Sequence, residues 1–258
     1  MVATLQKQKP PRAQRWVTRW KWITISMGAV GLAVLLYFGN NLWFLRYPLP
    51  ALLFGGAYYT FKIYRHRRRI VGEGSEGEAL TAKLLDNLNM EDARVLHSVE
   101  FFSGDKPREL DHVLITHQCI FVIETKYLRG RISGEPLDRE WTLHKRARQT
   151  RSRYKRTFYN PLKQVATQIY HLRSYMETNL PTRWADECAQ IWIQGVVVFS
   201  HPQGDASSVI SHEHGVVDIN GLEQYLKNYR PPSRARRLSY GLRREIGRFL
   251  SGQPVSAN

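Results

Sequence analysis

Acidic residues are missing from the first 69 positions of this 258-residue chain, which hold 12 lysines and arginines and no aspartate or glutamate. Residues 70–258 carry 26 basic against 22 acidic side chains. The formal charge of +16 therefore describes mainly an N-terminal segment and excludes a uniformly basic, histone-like chain. Cysteine is nearly absent, with only Cys119 and Cys188. Two thiols cannot build a four-cysteine zinc site or a disulfide scaffold, and both are expected to pack as small apolar groups in a reducing compartment. There is no G-x-x-x-x-G-K-[ST] loop and no G-x-S-x-G elbow, so neither nucleotide hydrolysis nor serine hydrolysis has a motif here. No internal repeat or long low-complexity linker interrupts the chain. A hydrophobic fraction of 43% excludes a disordered polymer, and the length permits one ordinary domain plus an appendage.

What is present begins with two uncharged runs, Trp22–Leu45 and Tyr47–Phe61. The first exceeds the roughly 20 apolar residues a spanning helix needs. The second reaches across, from Leu42 to Tyr64, if Arg46 and Lys62 snorkel to opposite interfaces. Gly39, Asn40 and Asn41 supply the turn, and basic clusters flank both ends (Lys7 to Lys21, Lys62 to Arg69). Positive charge stays cytoplasmic, so the pattern predicts a transmembrane hairpin over residues 1–69, with spans of about 22–39 and 43–64. The N-terminus and the domain that follows the hairpin are then expected on the cytoplasmic side of a plasma or inner membrane; the competing reading is a buried helical pair in a soluble fold.

Residues 70–230 alternate helix and strand signals. Leu80, Leu84, Leu85 and Leu88 mark a helix over Gly74–Leu88, followed by strands at Arg94–Phe101, Glu109–Thr116 and Cys119–Lys126. Trp141–Leu143 suggests a short strand before a polar, basic stretch. Asn160-Pro161 opens a helix to about Glu177 with Leu162, Val165, Ile169, Leu172 and Met176 on one stripe. Ile191–Phe199 reads as a strand buried on both faces, Val216–Ile219 as a shorter one, and Leu222–Tyr229 as a helix. Residues 231–258 form a basic amphipathic helix and tail, suited to a membrane surface, the domain or a phosphate backbone. This order predicts an α/β domain around a mixed sheet.

The chemistry concentrates in Glu109-Leu110-Asp111-His112-Val113-Leu114-Ile115 and Phe121-Val122-Ile123-Glu124-Thr125-Lys126. Alternation on a strand puts Glu124 and Lys126 on one face. A hairpin brings Asp111 near Glu124, so Asp111, Glu124 and Lys126 converge at one sheet edge. Paired carboxylates repel unless a cation intervenes, and oxygen-only ligation suits Mg²⁺ or Mn²⁺. A lysine beside such a site can orient a water and offset phosphate charge, which together describe phosphodiester hydrolysis. The bland alternative is a surface Glu–Lys salt bridge.

These residues resemble the nuclease-related domain (NERD) family of the PD-(D/E)xK nuclease superfamily, over roughly Val71 to Tyr229. Gly74-Ser75-Glu76-Gly77-Glu78 is similar to its G-x-x-G-E motif, Glu109–Ile115 to its E-[IL]-D-H-[VIL] strand, and Glu124-Thr125-Lys126 to its E-x-K element. Gly130 fits the small residue that follows, and Asn160-Pro161-Leu162-Lys163-Gln164 resembles its N-P-x-x-Q helix start. The resemblance implies a restriction-endonuclease-like mixed sheet flanked by helices. It also implies Glu78, Asp111 and Glu124 as metal ligands, Lys126 poising the water, and Gln164 supporting substrate or ligands. On the same helix Gln168, His171 and Tyr175 are read as a solvated polar face.

From Lys145 to Arg156 the chain holds seven basic residues in twelve. Lys145, Arg146, Arg148, Arg151, Arg153, Lys155 and Arg156, with Tyr154 interleaved, suit nucleic acid, while anionic lipid or plain solvent compete for them. His212-Glu213-His214 lacks further ligands at metal spacing and reads as a loop. The function expected is thus a membrane-anchored, Mg²⁺-dependent nuclease acting on nucleic acid, with DNA the expected substrate and a non-catalytic membrane tether that binds nucleic acid as the alternative.

Overall fold

The computed structural model describes residues 22–23, 25–30, 32–33, 48–146 and 153–252. The chain divides into two compact units, Met1–Ser75 and Glu76–Asn258. In the first, the described positions from Trp22 to Ala33 are helical, and a 39-residue helix, α1 (Pro48–Asp86), begins there. The expected helix at Gly74 is therefore no separate element: Gly72, Gly74 and Gly77 sit inside α1. Each interior glycine costs a helix about 1 kcal/mol, and no proline follows Pro50 to stop it. Leu52, Tyr58 and Trp22 are largely exposed. Among the described residues no helix is long and apolar enough to cross a membrane. The predicted Gly39–Asn41 turn, residues 34–39 of the first predicted span and 43–47 of the second lie outside the described residues.

The second unit is built on a five-stranded sheet of order β1-β2-β3-β7-β9, from β1 (Arg94–Ser103), β2 (Lys106–Ile115), β3 (Ile120–Lys126), β7 (Ile193–Phe199) and β9 (Gly215–Asp218). β1, β2 and β3 pair antiparallel; β3, β7 and β9 run parallel. Every residue of β7 is buried, as expected where helices cover both faces of a parallel strand. On one face, α2 (Pro161–Asn179) and α5 (Tyr240–Leu250) share a core with Val122, Val197 and Phe199. On the other, Leu85 of α1 and Leu222 and Leu226 of α4 (Ile219–Asn228) meet Phe121, Ile123, Val196 and Val198. The basic C-terminal helix thus packs on the domain through Leu242, Ile246 and Leu250.

A second sheet departs from the single sheet that the sequence suggests. Its order is β6-β5-β4-β8, from β4 (Gly130–Ser133), β5 (Glu140–Arg146), β6 (Arg153–Tyr159) and β8 (Gly204–Asp205). β4 and β8 are too short to show periodicity, and the positive charge of β6 hides its alternation. Ile132, Trp141 and Leu143 on the inner face join the core beneath α2.

Asn160 locks this second sheet to α2. The side chain is fully buried; its Oδ1 accepts from Leu162 N at 2.9 Å, capping the helix, while Nδ2 donates to the carbonyls of Pro136 at 3.0 Å and Asp138 at 2.8 Å. Asn160→Ala removes the cap and the bonds to those part-buried carbonyls, so it should cost about 1–3 kcal/mol in chemical denaturation. A loss below about 0.5 kcal/mol would contradict this anchoring.

Candidate active site

Four elements bring the predicted residues together. Glu124 and Lys126 project from the same face of β3 toward α2, as alternation requires. Glu124 is only 3% exposed, and its charge is met by donors on both oxygens. Oε1 accepts from Lys126 Nζ at 2.5 Å and from Gln164 Nε2 at 2.7 Å. Oε2 accepts from Gln168 Nε2 at 2.7 Å. Lys126 Nζ also donates to Gln164 Oε1 at 3.0 Å, closing a ring of three side chains. Burial and this networking set the pair apart from the weak surface bridge considered above.

Gln168 corrects the sequence reading. It does not lie on a solvated face but, one turn after Gln164, grips the same carboxylate. The i, i+4 spacing of the two glutamines is the signal that could have found it. His171 and Tyr175 remain partly exposed; His171 Nδ1 lies 2.9 Å from Ser103 Oγ, and Tyr175 stacks on Phe249 at 4.8 Å between ring centroids.

Asp111 sits where β2 and β3 part. Their ladder ends at His112↔Ile123, and Asp111 Oδ2 then accepts the Thr125 amide at 2.8 Å. Opposite it on β1, between the pairs His97↔His112 and Val99↔Leu110, Ser98 adopts a left-handed backbone with φ 49°. A non-glycine residue there stores strain of order 1–3 kcal/mol beside the candidate site. The neighbouring His112 faces the other way: its Nδ1 lies 2.8 Å from His97 Nδ1, whose Nε2 lies 3.0 Å from Asp86 at the end of α1. Burial drives the His112 pKa down to about 3, so this ring stays neutral and serves the fold.

Glu78 comes from α1. Thr81, one turn later, accepts from Thr125 Oγ1 at 3.3 Å, which fixes this stretch of helix over the end of β3. Gly77 permits the approach, because a Cβ there would meet Ser200 Oγ and Tyr127 Cβ at 2.7 Å. Helix and strand could not come this close with any larger residue.

The electrostatics show the four predicted groups acting on one another. Burial, then Glu109 and Glu124, raise the Glu78 pKa, with Lys126 pulling it down. Asp111 is raised well above the usual aspartate range, first by burial and then by Glu124; the Thr125 amide and Lys126 oppose this, and Glu78 adds to it. Glu109, within the strand motif itself, is a further member that the sequence reading passed over. Among the predicted groups, the three carboxylates Glu78, Asp111 and Glu124 stand in the field of one lysine, Lys126.

An oxygen-only donor set of three carboxylates fits a hard divalent cation in chemistry and charge. It is not a closed cage: among the described residues no three histidine, cysteine, aspartate or glutamate side chains are grouped to hold a metal ion. Glu124 already spends both oxygens on protein donors. His212-Glu213-His214 likewise forms no metal group.

The described ends of the basic stretch lie on two antiparallel strands, β5 and β6. Lys155 and Arg156 are exposed and Lys145 half-buried, and Arg146 and Arg153 pair across β5 and β6. Arg148 and Arg151 lie outside the described residues.

Comparison with known proteins adds a family match. The model of the nuclease-related domain (NERD) family matches residues 73–200. An uncharacterized protein of Bacillus anthracis is 32% identical over 161 residues, covering 61% of this chain and 67% of that one. No solved structure matches the chain.

The raised Asp111 pKa has a definite sign. Its folded-state value lies above the unfolded one, so its contribution to stability is complete below the ordinary aspartate value of about 3.9 and is lost as pH rises through the raised value. Asp111→Asn keeps an acceptor for the Thr125 amide and removes the charge. In metal-free buffer the variant should therefore unfold at higher denaturant than the wild type at pH 7, an advantage that shrinks as pH falls toward 4. A variant less stable than the wild type at neutral pH would contradict the assignment.

Proposed function

We propose, on the premise that the chain belongs to the nuclease-related domain family, that it is a metal-dependent nuclease. It hydrolyses phosphodiester bonds of nucleic acid, with DNA the expected substrate. The observation that carries this reading is the buried Glu124, Lys126, Gln164 and Gln168 network set beside Asp111 and Glu78. Glu78, Asp111 and Glu124 are the residues that would hold Mg²⁺ or Mn²⁺. Such an ion would supply Lewis-acid stabilisation of charge on the phosphate.

The chain's own groups do the remaining work. Lys126 is 22% exposed, so its ammonium keeps access to a water or a phosphate oxygen while Glu124 and Gln164 fix its direction. Gln164 and Gln168 hold the Glu124 carboxylate against rotation. That preorganisation limits reorganisation during reaction.

The purified full-length protein with Mg²⁺ or Mn²⁺ should cleave labelled DNA, with RNA as the comparison. Asp111→Ala and Lys126→Ala should each lower the rate on the order of 10²-fold or more. Independently of activity, either ion should raise the thermal midpoint of the wild type and not of Asp111→Asn. Undiminished cleavage by both alanine variants would remove the site assignment.

A second reading is favoured by the exposed Lys155 and Arg156 of β6: a non-catalytic membrane tether that binds nucleic acid through its basic segments. It predicts salt-sensitive binding that survives loss of Asp111 and Glu124, with no cleavage in any metal.

We propose further that the N-terminal segment anchors the domain to the cytoplasmic face of a cell membrane. The uncharged runs, their basic flanks and the exposed Leu52 and Tyr58 support this. The full chain should remain in the membrane pellet after alkaline carbonate extraction; release into the supernatant would refute the anchor.

A further inference from the structure

The second sheet is half-buried, and its outer face has no role in the site described above. Inner positions Ile132, Trp141, Leu143 and Phe158 belong to the core. The positions between them point outward and align by register into rows across β4, β5 and β6. Arg131 pairs with His144, which pairs with Lys155; Ser133 pairs with Thr142, which pairs with Thr157. One row is thus cationic or imidazole and the next entirely hydroxyl. Ser133 Oγ lies 2.9 Å from His144 Nε2 and ties the two together. Tyr159, on the same face of β6, is 49% exposed. Two acids share this face: Glu140 stands directly across from Tyr159, and Asp205 on β8 extends the cationic row beside Arg131, its carboxylate engaged by the amide and hydroxyl of Ser207.

The placement of this face adds to its chemistry. β4 opens at Gly130, shortly after Lys126, and the Gly130 amide donates to Gln203 O beside β8. β6 closes at Tyr159, immediately before Asn160 and the helix that carries Gln164 and Gln168. The two sheets are therefore joined at the strand ends that bear Glu124 and Lys126.

We infer that the outer face of β4–β6 is a platform for single-stranded nucleic acid leading to the carboxylate cluster, an inference that rests on the nucleic-acid reading above. Arginine, lysine, serine and threonine side chains are the usual donors to phosphate oxygens. An exposed tyrosine offers a surface on which an unstacked base can lie. A duplex hides its base faces, so the pairing of Tyr159 with cation and hydroxyl rows selects the single strand.

The test uses the full-length protein in EDTA, where binding is read without hydrolysis, and follows fluorescein-labelled oligothymidylate by anisotropy over a salt series. Tyr159→Ala should weaken binding about tenfold or more, and Tyr159→Phe should retain wild-type affinity. Lys155→Ala should reduce the slope of log K against log salt by about 0.7. A duplex of equal length should change less than twofold with Tyr159→Ala. Unaltered oligothymidylate binding in Tyr159→Ala and Lys155→Ala, or an equal loss for the duplex, overturns the platform. If this pattern holds while Mg²⁺ and Mn²⁺ give no cleavage, the surface stands and the hydrolytic reading falls. Cleavage by the wild type without the pattern removes the surface alone.

Discussion

A carboxylate sealed between a strand and a helix must find protein donors to replace the water it has lost. Glu124 is in that position, and its oxygens are met by one ammonium and two amides. Leaving any of these unmade would strand a buried charge at a cost of several kcal/mol. The requirement therefore sets more than a local contact. It sets the register of α2 against β3, because Gln164 and Gln168 must both face the strand. It explains the elaborate hold on Asn160 as well, since a helix that starts a residue early or late would turn both amides away from Glu124.

The same site is costly to the fold elsewhere. Asp111 and Glu78 are held where their charged forms are disfavoured, and Ser98 keeps a left-handed backbone across from Asp111. Such features persist where the surrounding structure over-determines them and are concentrated at functional sites. Here the fully buried β7 and the packing of α1 against Tyr127 and Ser200 at Gly77 supply that support. Repulsion among the acids is the chemical opening for a divalent ion, which would relieve the strain that apolar packing sustains.

The two sheets divide the labour. The five-stranded sheet, covered on both faces, is rigid enough to hold acidic groups together. The four-stranded sheet buries only one face and leaves the other polar. Both grow from the same strand ends, so a surface for an extended ligand and a cluster of acids become neighbours through chain connectivity rather than through long-range folding.

Much of this was legible in the residues themselves. The apolar run of β7, the stripe on α2, the Asn-Pro helix start and the alternation placing Glu124 with Lys126 are local patterns. Local geometry fixes side-chain direction along a single element, so these are readable from spacing alone. The remainder depends on which element faces which. That α1 continues past Gly77 at a close contact with Tyr127 and Ser200 depends on neighbours distant along the chain. That Gln168 meets Glu124 rather than water depends on the helix lying over β3. That β6 is a strand at all depends on partners across a sheet, since its own pattern is masked by charge. Sequence by itself determined the strongly patterned elements and the residue types able to do the chemistry. The tertiary structure alone decided which were brought into one another's fields, because burial and Coulomb coupling depend on distances through space, which separation along the chain does not set.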